Sequence, residues 1–495
     1  MFFCAVALVL ALAAPVASAD TPEFLGEFGE AGTGAGQFKT PRAMVASPTS
    51  GHLFVVDGYS GAGTQTNRID EFTAWGQFVK SWGWGVRDGS PELQTCGPEA
   101  TPPSAECLPG LEGDGAGQFD QPGGIAIDSA GSLYVYDARN YRVQKFSPDG
   151  EFLLMFGGGV NETTGGDVCP VAPGDICKAG APGTGDGEFA GRGTGEGEFE
   201  FESNAWQGNF IGVGPGDVLF VAGPDRIQAF SSAGAFIRSI PLPDPGEPGY
   251  MAVDPASGDI YFAYAYNTSG FVSEQPDIYR LDPATGDVLD VLPLPIPEAL
   301  ATDADGNLFA ATRRWDENNN FFHEVVMFDS SGDPVIPVGS KFAPSYLQAN
   351  FIFALATNTV TEAGGIDLFV AFGSDIFKPK IEIYGPGPDK WPPPPNPPQI
   401  SAQFADVVGS EDASLKAKIN PLFWADTKYF LEYGTSPCAL GGCVAAPAPP
   451  GLPLDSGVVN LSFTSSPIEL TGLEPGTTYH YRFVASSSGG GPTIG

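Results

Sequence analysis

Basic residues are scarce: 23 of the 495 residues are lysine or arginine and three are histidine, against 59 aspartates and glutamates. The formal charge is −36 at pH 7. A surface this negative repels phosphate backbones, which argues against a nucleic-acid partner, and it favours solubility and tolerance of salt or divalent cations. His52, His323 and His480 stand at unrelated strand positions, so the converging histidines that a zinc site needs are missing. No long amphipathic helical pattern is visible. Beyond the first twenty residues no apolar run is long enough to span a bilayer, and FIFALA at Phe351–Ala356 is far too short. No G-x-S-x-G elbow or Ser/His/Asp set is apparent.

The chain is rich in residues that make turns and pack sheets: 67 glycines, 47 prolines and 36 phenylalanines. That composition predicts all-β structure in two or more domains. Residues 1–19 form an apolar run ending in Ala17-Ser18-Ala19, read as a secretory signal, although no Lys or Arg precedes it. Cys4 lies inside it, leaving six cysteines in close pairs. Even count, local pairing and an export signal predict Cys96–Cys107, Cys169–Cys177 and Cys438–Cys443 disulfides in an oxidising compartment. No pair is CxxC, which argues against metal binding. The expected location is secreted or at the cell surface.

Six alternating segments end in a turn: HLFVVD from His52, SLYVYD from Ser132, DVLFVAG from Asp217, DIYFAYA from Asp259, NLFAAT from Asn307 and DLFVAF from Asp367. Each follows a shorter apolar strand and a turn, and precedes a third strand, often with a fourth. Four short antiparallel strands recurring at tens of residues predict propeller blades. The last unit lacks a fourth strand, while EFLGEFG at Glu23–Gly29 offers a spare one, so six blades closed by the N-terminal strand are expected.

The stretch Gly117–Leu153 resembles an NHL repeat through its G-x-F-x-x-P opening, I-A-I-D and L-Y-V-Y-D strands, and N-x-R-V-x-x-F. GQFKTP, LFVVD and NRIDEF repeat the pattern in the first unit. The third keeps RIQAF without the Asp, and the last three keep only the strand pattern. The resemblance implies a propeller over residues 20–388, with insertions at about 86–112 and 158–200. The ligases and RNA-binding regulators among NHL proteins depend on a RING domain or a basic face, and neither is present. Residues 389–399 carry WPPPPNPP and predict a stiff polyproline spacer. Over 400–495, Leu473-x-Pro475-x-x-x-Tyr479 has the pattern of a tyrosine corner and resembles a fibronectin type III module. This β-sandwich is expected to be incomplete, its last strand beginning where GGGPTIG ends the sequence, as in a fragment of a longer chain.

The most repetitive feature is GTGAGQF at Gly32–Phe38, copied as GDGAGQF at Gly113–Phe119, GTGDGEF at Gly183–Phe189 and GTGEGEF at Gly193–Phe199. A Walker loop needs Lys-Ser/Thr after its last glycine, a dinucleotide loop must open a helix, and a calcium β-roll needs a nonapeptide period. None of these holds. The copies read as loops between blades, with Gly36 and Gly117 at positive φ and Phe38 and Phe119 packing between blades. Pro41, Pro122, Asp57 and Asp137 complete the repeat framework. Asp57 and Asp137 read as caps of local backbone N–H groups in preference to cation ligands.

The loops after the second strands share one rim, and they supply the candidate ligand contacts: Arg139, Asn140, Tyr141, Tyr264, Tyr266, Arg313, Arg314, Trp315 and Asp375. Arg139 to Arg142 also matches the structural repeat, whereas Arg313-Arg314-Trp315 is unusual in so acidic a chain. Asn161, Asn267 and Asn460 lie in glycosylation sequons. The expected function is non-catalytic recognition or scaffolding of a protein or carbohydrate ligand, by a monomer within a longer chain. No cofactor is expected, with calcium left open. The alternative is a calcium-dependent propeller hydrolase or lyase with axial ligands.

Overall fold

The computed structural model describes residues 23–58, 65–104, 106–182, 210–223, 226–243, 248–264, 278–315, 321–335, 352–358, 367–373, 379–385, 396–422, 424, 426–454 and 463–495. The expected signal sequence, the tandem copies at 183–199, Tyr266, Asp375, Asn267, Asn460 and most of the proline-rich spacer lie outside them. No described helix is long and apolar enough to cross a membrane.

Six antiparallel sheets carry the first part of the chain. Their first strands are Pro41–Ala46, Pro122–Ile127, Ile211–Gly214, Pro248–Val253, Pro297–Thr302 and Ile352–Asn358, here the inner strands of blades 1 to 6. These inner strands touch in cyclic order, and that of blade 6 packs against that of blade 1. The sheets therefore form a closed ring, a β-propeller. The ring closes through Glu23–Phe28, which pairs antiparallel with Lys380–Gly385 as the outer strand of blade 6. A free sheet edge is thereby covered by the chain's other end.

Both faces of each blade are buried against neighbours, which explains strands such as LFVVD, fully buried and apolar up to its closing aspartate. One hydrophobic cluster fills each of the six gaps between adjacent blades. Phe38 packs with Phe28 and Phe72 between blades 6 and 1, and Phe119 with Phe146 between blades 1 and 2. Each fully buried phenylalanine contributes about 1.5–3 kcal/mol of transfer free energy.

The glycine loops are sockets for an arginine. Arg142, fully buried on the third strand of blade 2, donates from Nη1 to Asp114 O and from Nη2 to Gly115 O (2.9 Å) and Gln118 O (2.8 Å). Its Nε donates to Asp137 Oδ2 at 2.9 Å. Arg68 grips the loop of blade 1 through Thr33 O, Gly34 O and Gln37 O at 2.6–2.9 Å. Its Nε, however, pairs with Asp70, 3.0 Å away, in place of the aspartate that ends the second strand. Gly34 N and Gly115 N donate to the side-chain oxygens of Gln37 and Gln118, which draw the loop closed. A Cβ on Gly32 or Gly113 would sit within 2.0–2.4 Å of those glutamine side chains, and Gly36 and Gly117 hold φ of +70° and +78°. The repeat thus needs glycine for curvature around a guanidinium. Asp57 and Asp137 hold the same loops from the other side: Asp57 Oδ1 accepts from Thr40 N (2.7 Å), and Asp137 Oδ1 from Asp120 N (2.8 Å). The N–H groups they bind lie on the incoming loop, 17 residues upstream, and not within the strand's own turn.

Blades 1 and 2 each gain a short fifth strand, Leu93–Cys96 and Val168–Cys169, inside the two insertions. Disulfides Cys96–Cys107 and Cys169–Cys177 clip these additions, and Cys438–Cys443 lies in the second sheet assembly. In the chain-entropy account, replacing Cys96 and Cys107 together by serine should cost about 2–3 kcal/mol and leave the far-UV circular dichroism unchanged; loss of the sheet signal would show that the bridge is needed to form the blade. Asn161 is fully buried, with Nδ2 donating to Asp175 Oδ2 at 2.8 Å, so this sequon is closed to modification in the folded protein.

Residues from Gln399 onward build two further sheets around one core that includes Leu415, Tyr429, Leu431, Ile468 and Phe483. Tyr479 OH accepts a hydrogen bond from Glu474 N at 3.1 Å, five residues upstream. Gly490–Ile494, in the GGGPTIG stretch where a further strand was expected to begin, is a strand hairpinned onto His480–Ser487. Two flexible glycines at 490 and 491, both at positive φ, make that hairpin possible.

Candidate functional site

Five of the six inner strands carry a bulge at the same place, one residue after their first. Register jumps from Pro41 to Ala43, Pro122 to Gly124, Pro248 to Tyr250, Pro297 to Ala299 and Ile352 to Ala354. The residues left unpaired are Arg42, Gly123, Gly249, Glu298 and Phe353. A bulge re-aims its extra side chain, and here it does so repeatedly at one mouth of the central channel.

The side chains are unevenly distributed around that mouth. Blades 5, 6 and 1, which are consecutive, present Glu298, Phe353 and Arg42, while blades 2 and 4 present glycine. The Arg42 guanidinium lies 5.4 Å from the centroid of the Phe353 ring, a cation–π distance. Glu298, 3% exposed, is held on both oxygens. Arg313 donates to Oε1 from Nε (2.9 Å) and Nη2, and His323 Nδ1 lies 2.5 Å from Oε2. Arg313 and His323 are direct cross-strand partners in blade 5, so one register position grips the bulged carboxylate of the strand beside it. Tyr250 reaches the same place from blade 4. Burial pushes its hydroxyl far above the ordinary tyrosine range, with Glu298 adding to the shift and the charges of Arg313 and Arg42 opposing it. Blades 1 and 4 face each other across the ring, so groups from opposite sides meet near the axis. On the glycine side, Phe210 packs edge-on to Tyr136 at 6.5 Å, and a Cβ on Gly123 would meet nothing within 4 Å. The result is a buried cluster of one guanidinium, one carboxylate and two aromatic rings (Arg42, Glu298, Phe353 and Tyr250), across from a glycine, Gly123, with room for a Cβ.

The rim residues read from the sequence are placed as follows. Arg313 is half-buried and belongs to the Glu298 grip. Arg314 and Trp315 continue the same strand. Tyr264 turns inward, edge-on to Phe262 at 4.9 Å and Tyr279 at 6.0 Å, in the core between blades 3 and 4. Arg139 is exposed on a short 3-10 turn, Asn140 is buried with Nδ2 on Gly113 O, and Tyr141 follows in the left-handed region at φ 48°. Arg42, Glu298, Phe353, Tyr250 and His323 were missed as a group. Their signal was present as the recurrent openings PRAMVA, PGGIAI, PGYMAV, PEALAT and IFALAT, in which one residue follows the strand's first position out of register.

Among the described residues no group of three or more His, Cys, Asp or Glu side chains is placed to hold a metal ion. Asp57 is fully buried and raised to about 7, first by burial and then by the neighbouring carboxylate of Asp70, against the opposing charge of Arg68. Asp137 is raised by burial, opposed by Arg142. Both belong to the loop sockets and not to the mouth.

Residues 119–146 match the NHL repeat family. No curated protein matches the chain. Among solved structures, the chain is similar to virginiamycin B lyase from Staphylococcus aureus at 12% identity, covering 70% of this chain and 94% of that one with a TM-score of 0.33. It is also similar to a gluconolactonase from Xanthomonas campestris at 12% identity, covering 74% and 95% with a TM-score of 0.39. A third is the Pan2 WD40 domain of Neurospora crassa, at 12% identity, covering 74% and 96% with a TM-score of 0.32.

Proposed function

We propose that the chain is a secreted or cell-surface recognition protein, a six-bladed NHL-type propeller followed by a fibronectin type III-like module. Its ligand, a carbohydrate end group, is bound at the bulged mouth. The observation that supports this is the convergence of Arg42, Glu298, Phe353 and Tyr250 beside two glycines. Sugar hydroxyls donate and accept at once, and a guanidinium and a carboxylate already locked in orientation meet both needs with little ordering cost. Aromatic faces suit the apolar faces of a pyranose, and few well-placed polar groups in a concave mouth are the usual means of small-ligand specificity. A neutral glycan also avoids repulsion by the acidic remainder of the surface.

The test is a glycan array probed with wild type, Arg42→Ala and Gly123→Trp. Gly123 has room for a Cβ, so a tryptophan there starts without a backbone clash and obstructs the mouth; its melting temperature is compared with wild type so that lost binding is separated from lost folding. Both variants should lose glycan binding. Wild-type binding that survives both substitutions, or capture of a protein ligand in place of any glycan, would overturn the assignment.

A further inference from the structure

The opposite end of the channel holds a separate cavity of about 470 Å³, lined by the second halves of all six inner strands and the turns that follow them. It shares no lining residue with the bulged mouth. Its walls are layered by register. Met44, Ile125, Ile211, Met251, Leu300 and Leu355 occupy one equivalent position, opposite Val55, Val135, Val221, Phe262, Ala310 and Val370. One residue further on, five of the six blades carry only Ala126, Gly212, Ala252, Ala301 or Ala356; the four alanines pack in the gaps between blades, so the axial space is bounded by the edges of the inner strands.

The turn end of the cavity is polar and one-sided in charge. Asp217 and Asp303 line it together with Asp128, whose carboxylate is paired with Lys145 Nζ at 3.1 Å behind the wall; the lining itself contains no lysine, arginine or histidine. Asp217 is held in place by Ser129, whose N–H and Oγ donate to its two oxygens at 2.9 and 3.0 Å. Asp303 accepts from Asp305 N and Asn307 N at 2.9 Å. The hydroxyls of Thr302 and Thr357 donate to Val253 O and Thr302 O of the adjacent blade, leaving their lone pairs as acceptors. Each inner strand is paired on one side only, so its second edge faces the axis. The acidic groups stand on different blades, spread around the opening, and do not converge on a point. Carboxylates spread around an apolar well create a field without forming a chelate.

From this we infer a second binding site, for a small organic cation with an apolar body and a primary ammonium group. The body fills the aliphatic well and the ammonium lies among the acidic turns. The volume falls in the usual range for small-molecule sites, roughly 300–1,000 Å³. The site is independent of glycan binding at the other mouth.

Met44 and Met251 line the well from opposite blades, and they provide the readout. Methionine-methyl NMR on the full chain would follow titrations with phenethylammonium, 2-phenylethanol and 3-phenylpropanoate, which share a body and differ in charge. The ammonium probe should shift both methyl signals saturably and bind at least tenfold tighter than the alcohol. The carboxylate should leave them unmoved. Asp217→Asn should weaken the ammonium probe severalfold, and added salt should do the same. Equal affinity for alcohol and ammonium, preference for the carboxylate, or methyl signals unmoved by every probe would overturn the inference.

Discussion

Arg142→Ala should destabilise the propeller by about 3–5 kcal/mol, the usual cost of removing one partner of a buried ion pair. Arg142 and Asp137 are both fully buried. The substitution strands the Asp137 carboxylate and deprives Asp114 O, Gly115 O and Gln118 O of their donor. The loop that carries Phe119 into the core between blades 1 and 2 then loses its anchor. Arg142→Lys should recover little, because one ammonium cannot donate to three carbonyls and a carboxylate in a fixed fork. Arg139→Ala, three residues away on an exposed turn, should stay within about 0.5 kcal/mol of wild type. Calorimetry of the propeller transition reads all three. A wild-type transition in Arg142→Ala would mean that the glycine loop holds itself.

The second large effect is on pH. In blade 1 two buried carboxylates, Asp57 and Asp70, share the single guanidinium of Arg68, and both are raised above the ordinary carboxylate range, chiefly by burial. Blade 2 has Gln144 where blade 1 has Asp70, since both are paired two positions beyond the arginine. The folded state keeps a proton that the unfolded chain releases near pH 4, so this contribution is fully present below that pH and is lost as pH rises to about 7. Across that window stability should fall by an amount on the order of 4 kcal/mol, and self-repulsion of the −36 charge adds to the same slope. The difference between wild type and Asp70→Gln isolates the pair. The variant should flatten the slope and be more stable than wild type at pH 8, and Ser81→Met can accompany it, because Met155 stands opposite Gln144 as Ser81 stands opposite Asp70. Stability that rises with pH from 5 to 7, with no difference between wild type and variant, would refute a shared proton.

Much of the architecture was legible because it is periodic. Each strand is covered on both faces by its neighbours, so LFVVD, LYVYD and their relatives run apolar on both faces up to the closing residue, and a turn follows each. The spare strand at Glu23–Phe28 was legible because a ring with one strand missing needs one supplied. The glycine repeat was recognisable as a loop between blades, yet its chemistry was not. The arginine that fills the loop comes from 24 to 28 residues downstream in blade 2, and 31 to 35 in blade 1. That Gly490–Ile494 forms a paired strand within GGGPTIG was not legible, because two glycines and a proline are poor strand formers until a neighbour supplies the ladder.

The sequence by itself determined the number of sheets in the ring, the order of the strands they share, the loop disulfides and the acidic character, all set by local pattern or by composition. The tertiary structure decided what the ring presents at its two mouths. A bulge shifts register by one residue and turns a side chain from a covered face to the axis. Ring closure then brings Arg42 to Phe353 from opposite ends of the propeller and sets Tyr250 near Glu298. The charges at the far mouth gather in the same way, one turn from each of several blades. Such convergence depends on the angle between successive sheets, a quantity that no stretch of sequence carries alone.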